Sequence, residues 1–164
     1  MSNTLLNKKI TAKGRETKDK IFRTAVELFS KNGFYGVSIR DITSAINIKE
    51  SSLYHHYLSK EDLVNDIYFY FAENIDATKL SDAQINSILA ENDGHTLLQK
   101  CLQEFRGVME QPLMAMAWRI ISMQQYRDDK AFEILSIDFH KMRIKYYENI
   151  FRTLVKRRII KALD

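Results

Sequence analysis

The sequence is poor in chain breakers, with one proline, Pro112, and five glycines in 164 residues. So little punctuation implies long helices with short joints. A single cysteine, Cys101, excludes an internal disulfide framework and fits a reducing cytoplasm, the default location for this chain. No window holds the roughly 18 apolar residues that a membrane-spanning helix needs. The N-terminus, MSNTLLNKKITAKGRETKDK, is basic and polar and lacks the apolar segment of a secretory signal. No internal repeat, low-complexity run or strand-like alternation of useful length occurs.

What is present suits a folded helical protein. The apolar share is 45% and the charged share 28%, as in globular rather than disordered chains. The length allows one ordinary core, or a small domain joined to a larger one. Charge is uneven: residues 1–60 carry 11 Lys/Arg against 5 Asp/Glu, and residues 61–164 carry 14 against 16, giving +6 and −2 for the stated +4. A basic N-terminal part beside a near-neutral remainder points to a polyanionic partner.

Periodicity divides the chain further. Residues 1–14 read as a flexible basic arm. From Arg15 to Asn32, Ile21, Phe22, Ala25, Leu28 and Phe29 form one helical face, and Gly33 stands where a left-handed cap is needed. Ser38-Ile39-Arg40-Asp41 has the serine-x-x-acid form of a helix start, followed by a short stripe of Ile39, Ile42 and Ile46. Asn47 tolerates the left-handed conformation of a turn. A third helix starts near Glu50-Ser51 and includes Leu53 and Tyr57, and Ser59-Lys60-Glu61-Asp62 opens a fourth through Leu63, Ile67, Phe71 and Ile75.

Further on, a short helix is expected around Ile85–Leu89, and a strong stripe runs through Leu97, Leu98, Cys101, Leu102, Phe105, Val108 and Met109. Pro112 marks a new helix start ahead of Met114, Ala117, Trp118 and Ile121. After a loop near Arg127-Asp128-Asp129, a long helix carries Phe132, Leu135, Phe139, Met142, Tyr146, Ile150 and Leu154 on one face. The predicted fold is all-α.

Two short helices with a tight joint, preceded by a supporting helix, make a helix-turn-helix over residues 38–57. In such a unit the second helix enters the major groove and turns its N-terminal residues toward the bases. Leu53 and Tyr57, four apart, anchor that helix to its core. Its surroundings, Lys49, Ser51, Ser52, Tyr54, His55, His56 and Lys60, are basic, hydroxylated or aromatic.

The stretch GFYGVSIRDITSAINIKESSLYHHYLSKEDL, residues 33–63, resembles the DNA-binding signature of TetR/AcrR-family transcriptional regulators. The resemblance rests on Gly33-Phe34, Ser38, Ile42 with Ala45, the Leu53–Tyr57 run, and Ser59-Lys60-Glu61 before Leu63, and extends from about Arg15 to Ile75. It implies a DNA-binding domain over residues 15–75 and a helical effector-binding and dimerisation domain over residues 76–164. It also implies that Ser38 and Arg40 meet phosphate, that Lys49, Ser51 and Ser52 lie nearest the bases, that Tyr54 and His56 reach phosphate or base edge, and that Lys60 clamps the DNA backbone. The sequence departs from the family pattern at Asn47, where a glycine is usual, and at Glu50-Ser51, which replaces a commoner lysine-glycine pair. Glu50 either accepts a hydrogen bond from cytosine or points away.

For function, the resemblance implies a homodimer on two-fold-related operator DNA, acting as a repressor released by a small-molecule effector; activation is the other option. Phe105, Met109, Trp118, Arg119, Phe139 and His140 are the candidate effector-pocket residues, although apolar stripes of this kind also serve as plain core. Members of the family usually continue through further dimer-forming helices, so a chain ending at Asp164 is expected to be a short variant or truncated. No metal or other cofactor is expected: adjacent histidines on a helix point about 100° apart, and no ligand spacing completes a site. An effector-independent architectural DNA-binding protein is the alternative function. An enzyme using His95, His140 or Cys101 lacks the nucleophile, base and orienting group that catalysis needs.

Overall fold

The structure, a computed structural model, describes residues 12–91 and 94–161. Every regular element among them is helical: α1 (Ala12–Asn32), α2 (Ile39–Ala45), α3 (Glu50–Tyr54), α4 (Lys60–Asp76), α5 (Asp82–Glu91), α6 (Gly94–Met109), α7 (Pro112–Gln124), α8 (Asp129–Glu133) and α9 (Met142–Lys156), with a π-helical segment, Ile134–Lys141, joining the last two. The basic arm expected over residues 1–14 lies outside the described residues as far as position 11, and positions 12–14 belong to α1. Chain contacts divide the protein into residues 1–65 and 66–164, so the boundary falls inside α4.

In the first unit, α1 buries Ile21, Phe22, Ala25 and Phe29 of the anticipated face together with Val26, while Leu28, also expected there, is half-buried. Gly33 ends the helix with φ +72° and its amide donates to the Phe29 carbonyl at 2.9 Å, a conformation open to glycine because it has no Cβ. Ile42 of α2, Leu53 of α3, Tyr57, and Leu63 and Val64 of α4 complete the apolar set. Each such side chain contributes roughly 1.5–3 kcal/mol on leaving water.

The second unit has an apolar cluster of Leu80, Ile85, Leu97, Cys101, Ile150 and Leu154. Cys101 is buried there, its sulfur 3.5 Å from the Tyr146 hydroxyl, which in turn accepts from the Leu80 amide at 2.9 Å. Pro112 opens α7 at its first turn, where a missing N–H matters least.

The long C-terminal helix departs from the sequence pattern. Phe132 and Met142, both placed on its buried stripe, are exposed, and so is Leu102 of α6. The π-helical segment explains the first two. Its hydrogen bonds span five residues instead of four, which rotates the side chains on either side out of one continuous stripe. Consequently Met142 is 44% exposed while Arg143 next to it is only 9% exposed. Leu102 follows Cys101, whose buried face α6 turns toward the cluster, and so falls on the flank.

Candidate nucleic-acid interface and helical-unit cavities

α2 begins with a reciprocal capping box. The Asp41 amide donates to Ser38 Oγ at 3.1 Å, and the Ser38 amide donates to Asp41 Oδ2 at 2.7 Å. The Ser38 hydroxyl also donates to the same carboxylate oxygen at 2.7 Å, so its proton is already engaged. Hydrogen bonds from the Ser38 side chain, then its backbone, hold the Asp41 carboxyl below the ordinary aspartate range.

The joint after α2 is a six-residue cap. The Ile48 amide donates to the Thr43 carbonyl at 3.0 Å and the Asn47 amide to the Ser44 carbonyl at 3.2 Å, with Asn47 at φ +53°. This is the Schellman pattern, with asparagine in the position that glycine usually fills. It lets α3 start at once, from Lys49 as N-cap.

α3 is shorter than the sequence suggests, but its turn continues: the Tyr57 amide donates to the Leu53 carbonyl at 3.0 Å. Leu53 and Tyr57 are both buried, as their four-residue spacing requires. Lys49, Glu50, Ser51, Tyr54 and His55 are exposed, as are Ser38 and Arg40 on α2, whereas Ser52 and His56 are half-buried. Burial, then the nearby His55 and Lys18, hold the His56 imidazole below its ordinary range and favour its neutral form.

Lys60 faces inward. Its ammonium donates to the carbonyl oxygens of Phe34 and Val37, each at 2.9 Å, and lies 4.2 Å from the centre of the Phe34 ring. It therefore ties the start of α4 to the loop between α1 and α2. Sequence reasoning missed this because the partners lie 26 and 23 residues away.

In the helical unit, the expected pocket residues separate into two groups. Phe105, Trp118 and Phe139 come together: Trp118 and Phe139 have ring centres 4.8 Å apart, and Phe105 and Phe139 6.1 Å apart. Phe71, absent from the expected set, joins them 5.7 Å from Trp118. His140 stacks edge-on against Phe139 at 5.1 Å. Arg119 is exposed and Met109 half-buried, and these two, like Phe105 and Trp118, border neither of the two cavities that Phe139 meets. Phe139 borders two of these, one of about 270 Å³ that also meets Phe71, Glu73 and Asp76, and one of about 380 Å³ that meets His140, Arg143 and Tyr147. Arg143 was not among the expected site residues.

Residues 21–67 match the family model described as "Bacterial regulatory proteins, tetR family". The chain is 42% identical over 60 residues to the biofilm operon icaADBC HTH-type negative transcriptional regulator IcaR of Staphylococcus epidermidis, a match covering 34% of this chain and 32% of that protein. It is 46% identical over 46 residues to the protein of the same name from Staphylococcus aureus, covering 28% of this chain and 25% of the other. These matches span about a third or less of the length of the curated relatives. Among solved structures, the TetR-family regulator PfmR of Thermus thermophilus superposes with a TM-score of 0.65 at 18% identity, covering 88% of this chain and 75% of that one. That likeness extends the shared fold through the helical unit. Residues 21–67 thus carry the N-terminal helix-turn-helix described for the tetR family of bacterial regulatory proteins.

Proposed function

We propose that the chain is a DNA-binding repressor of transcription that acts as a cytoplasmic homodimer on operator DNA and is released by a small molecule held in its helical unit. The observation that carries the DNA-binding part is the contrast along α3. Leu53 is fully buried while Lys49, Glu50, Ser51, Tyr54 and His55 remain exposed around it. A helix fixed from below, with a polar and aromatic upper face, is what major-groove readout requires.

Within this reading Lys49, Ser51 and Ser52 read base edges, and Arg40, Tyr54, His55 and His56 meet phosphate or base edge. Glu50 accepts from a cytosine amino group. Ser38 and Lys60 act differently from the other residues. Their polar hydrogens serve Asp41 and the loop carbonyls, so both position the reading helices and Arg40 supplies the phosphate charge. The negative-regulator names of the staphylococcal relatives support repression. The cavities walled by Phe71, Phe139 and Tyr147 support an apolar effector.

Binding of the purified chain to DNA from upstream of its own gene, followed by fluorescence anisotropy across a salt series, tests the proposal. Sequence-selective binding that Arg40→Ala weakens, with a salt slope flatter by about one, supports it. Binding that is non-selective and indifferent to Arg40→Ala and Tyr54→Ala overturns it. Selective binding by a monomer, judged by light scattering, removes the dimer alone.

A further inference from the structure

Arg143 is a buried cation with no counter-ion among the described residues. Its guanidinium lies 3.9 Å over the Phe105 ring, and its two terminal nitrogens donate to one acceptor, Thr78 Oγ1, at 3.0 and 3.1 Å. Thr78 Oγ1 already donates its own hydrogen to the Ile75 carbonyl at 2.7 Å, which fixes its lone pairs toward the arginine. A guanidinium has five N–H groups. Two donate to Thr78, the Tyr147 side chain offers a further hydrogen-bonding partner, and Nε is buried with no partner. Among the described residues no carboxylate forms an ion pair with it. Tyr147 lies beside it, its ring centre 5.8 Å away. Burial accordingly pulls the guanidinium below the ordinary arginine range, while Tyr147 and Tyr146 act in the opposite sense.

An unneutralised charge in such surroundings destabilises a fold unless something binds there. Arg143 borders the cavity of about 380 Å³ together with Phe139, His140, Ile144 and Tyr147, a volume within the usual range for small-molecule sites. Glu148 supplies the carboxylate on this rim, and it is exposed. The π-helical segment ends at Lys141, two residues before Arg143, and such segments recur at functional sites. The neighbouring cavity has Lys79 paired to Asp76 and Glu73 left over, so it offers an anion no unpaired cation, whereas this one offers Arg143.

We propose that Arg143 is the anion receptor of the helical unit, and that the ligand is an amphipathic monocarboxylate. Its carboxylate accepts from the remaining N–H groups of the two terminal nitrogens of Arg143, and its apolar body lies against Phe139 and Tyr147. A single guanidinium in an apolar wall matches one negative charge on a hydrophobic body better than a phosphate dianion. The proposal deepens the effector reading above and rests on it for its regulatory meaning, but not for the binding itself.

Trp118, the only tryptophan, sits 4.8 Å from Phe139 and reports occupancy by its fluorescence. The full chain is titrated, without DNA, with sodium octanoate, 1-octanol and inorganic phosphate. The expected result is saturable binding of octanoate, tighter than octanol by about tenfold or more, as one charge-assisted contact provides. Arg143→Met abolishes that preference while raising the Tm of the unliganded protein, since it removes a buried charge, and Arg143→Lys retains part of the preference. Equal binding of octanoate and octanol, preference surviving in a folded Arg143→Met, tighter binding of phosphate, or no saturable response to octanoate overturns the site. A parallel DNA-release assay separates the two ideas. Octanoate that binds through Arg143 but leaves DNA bound upholds the site and removes octanoate-type acids as the releasing effector. Octanoate that releases DNA equally from wild type and Arg143→Met overturns the site and keeps ligand-controlled repression.

Discussion

The Lys60 ammonium sits 2.9 Å from the Phe34 carbonyl oxygen and 4.2 Å from the centre of the same residue's ring, so one side chain binds both the backbone and the face of its partner. With the second bond to Val37, this joins α4 to the loop that leads into α2. Lys60→Met leaves two carbonyls without their charged donor, and a loss of about 1–3 kcal/mol in urea-unfolding stability is expected. The salt slope of DNA binding should be unchanged from wild type, because no phosphate contact is removed. A stability loss below detection, with the slope reduced by a full contact, would transfer Lys60 to the DNA surface.

Asn47 holds the joint between α2 and α3 in the left-handed region, at φ +53°. Asn47→Val is expected to destabilise by about 1–2 kcal/mol, since a branched side chain clashes with the backbone there, whereas Asn47→Gly should be neutral or slightly stabilising. Thermal unfolding lowers the Tm of Asn47→Val alone if the turn is as described, and shifts both variants equally and slightly if it is not.

Leu53 and Tyr54 are neighbours with opposite tasks. Leu53 is fully buried and Tyr54 is 48% exposed. Leu53→Ala should lose about 2–5 kcal/mol of stability through the cavity it leaves. Tyr54→Ala should change stability by only about 0.5 kcal/mol yet weaken DNA binding. Calorimetry and anisotropy on the same two proteins separate the effects; a Tyr54→Ala variant as unstable as Leu53→Ala would make the tyrosine a core residue.

His56 titrates below the ordinary histidine value because burial, then His55 and Lys18, disfavour its proton. The sign follows from linkage. The unfolded chain takes up the proton first, near pH 6.5, so the stabilising contribution is complete above that pH. It is lost as pH falls through the ordinary value toward the lower folded one. His56→Gln should flatten the stability–pH curve in that window, and the His56 ring proton followed by NMR should show its midpoint below that of a free imidazole. A midpoint above it would mean an unrecognised acidic neighbour.

Much of the helix-turn-helix was legible because its signals are local. Ser38 and Asp41 lie three residues apart and close their own capping box; Leu53 and Tyr57 lie four apart and share a buried face; Gly33 and Asn47 answer to the steric limits of single backbone positions. The C-terminal half was less legible. A uniform helical period placed Met142 inside, and the π-helical segment put Arg143 there instead. Nothing within a few residues of Arg143 announces that its partner is Thr78, 65 positions earlier.

The sequence by itself determined the all-α class, the caps and the placement of the helix-turn-helix, since each depends on torsions and hydrogen bonds that close within about one or two helical turns. Only the tertiary structure decided that Lys60 turns inward to the loop carbonyls, and that Arg143 lies buried over Phe105 beside a cavity. Those outcomes depend on which distant groups converge in space, and on how a change of helical pitch rotates a face, neither of which a local pattern encodes.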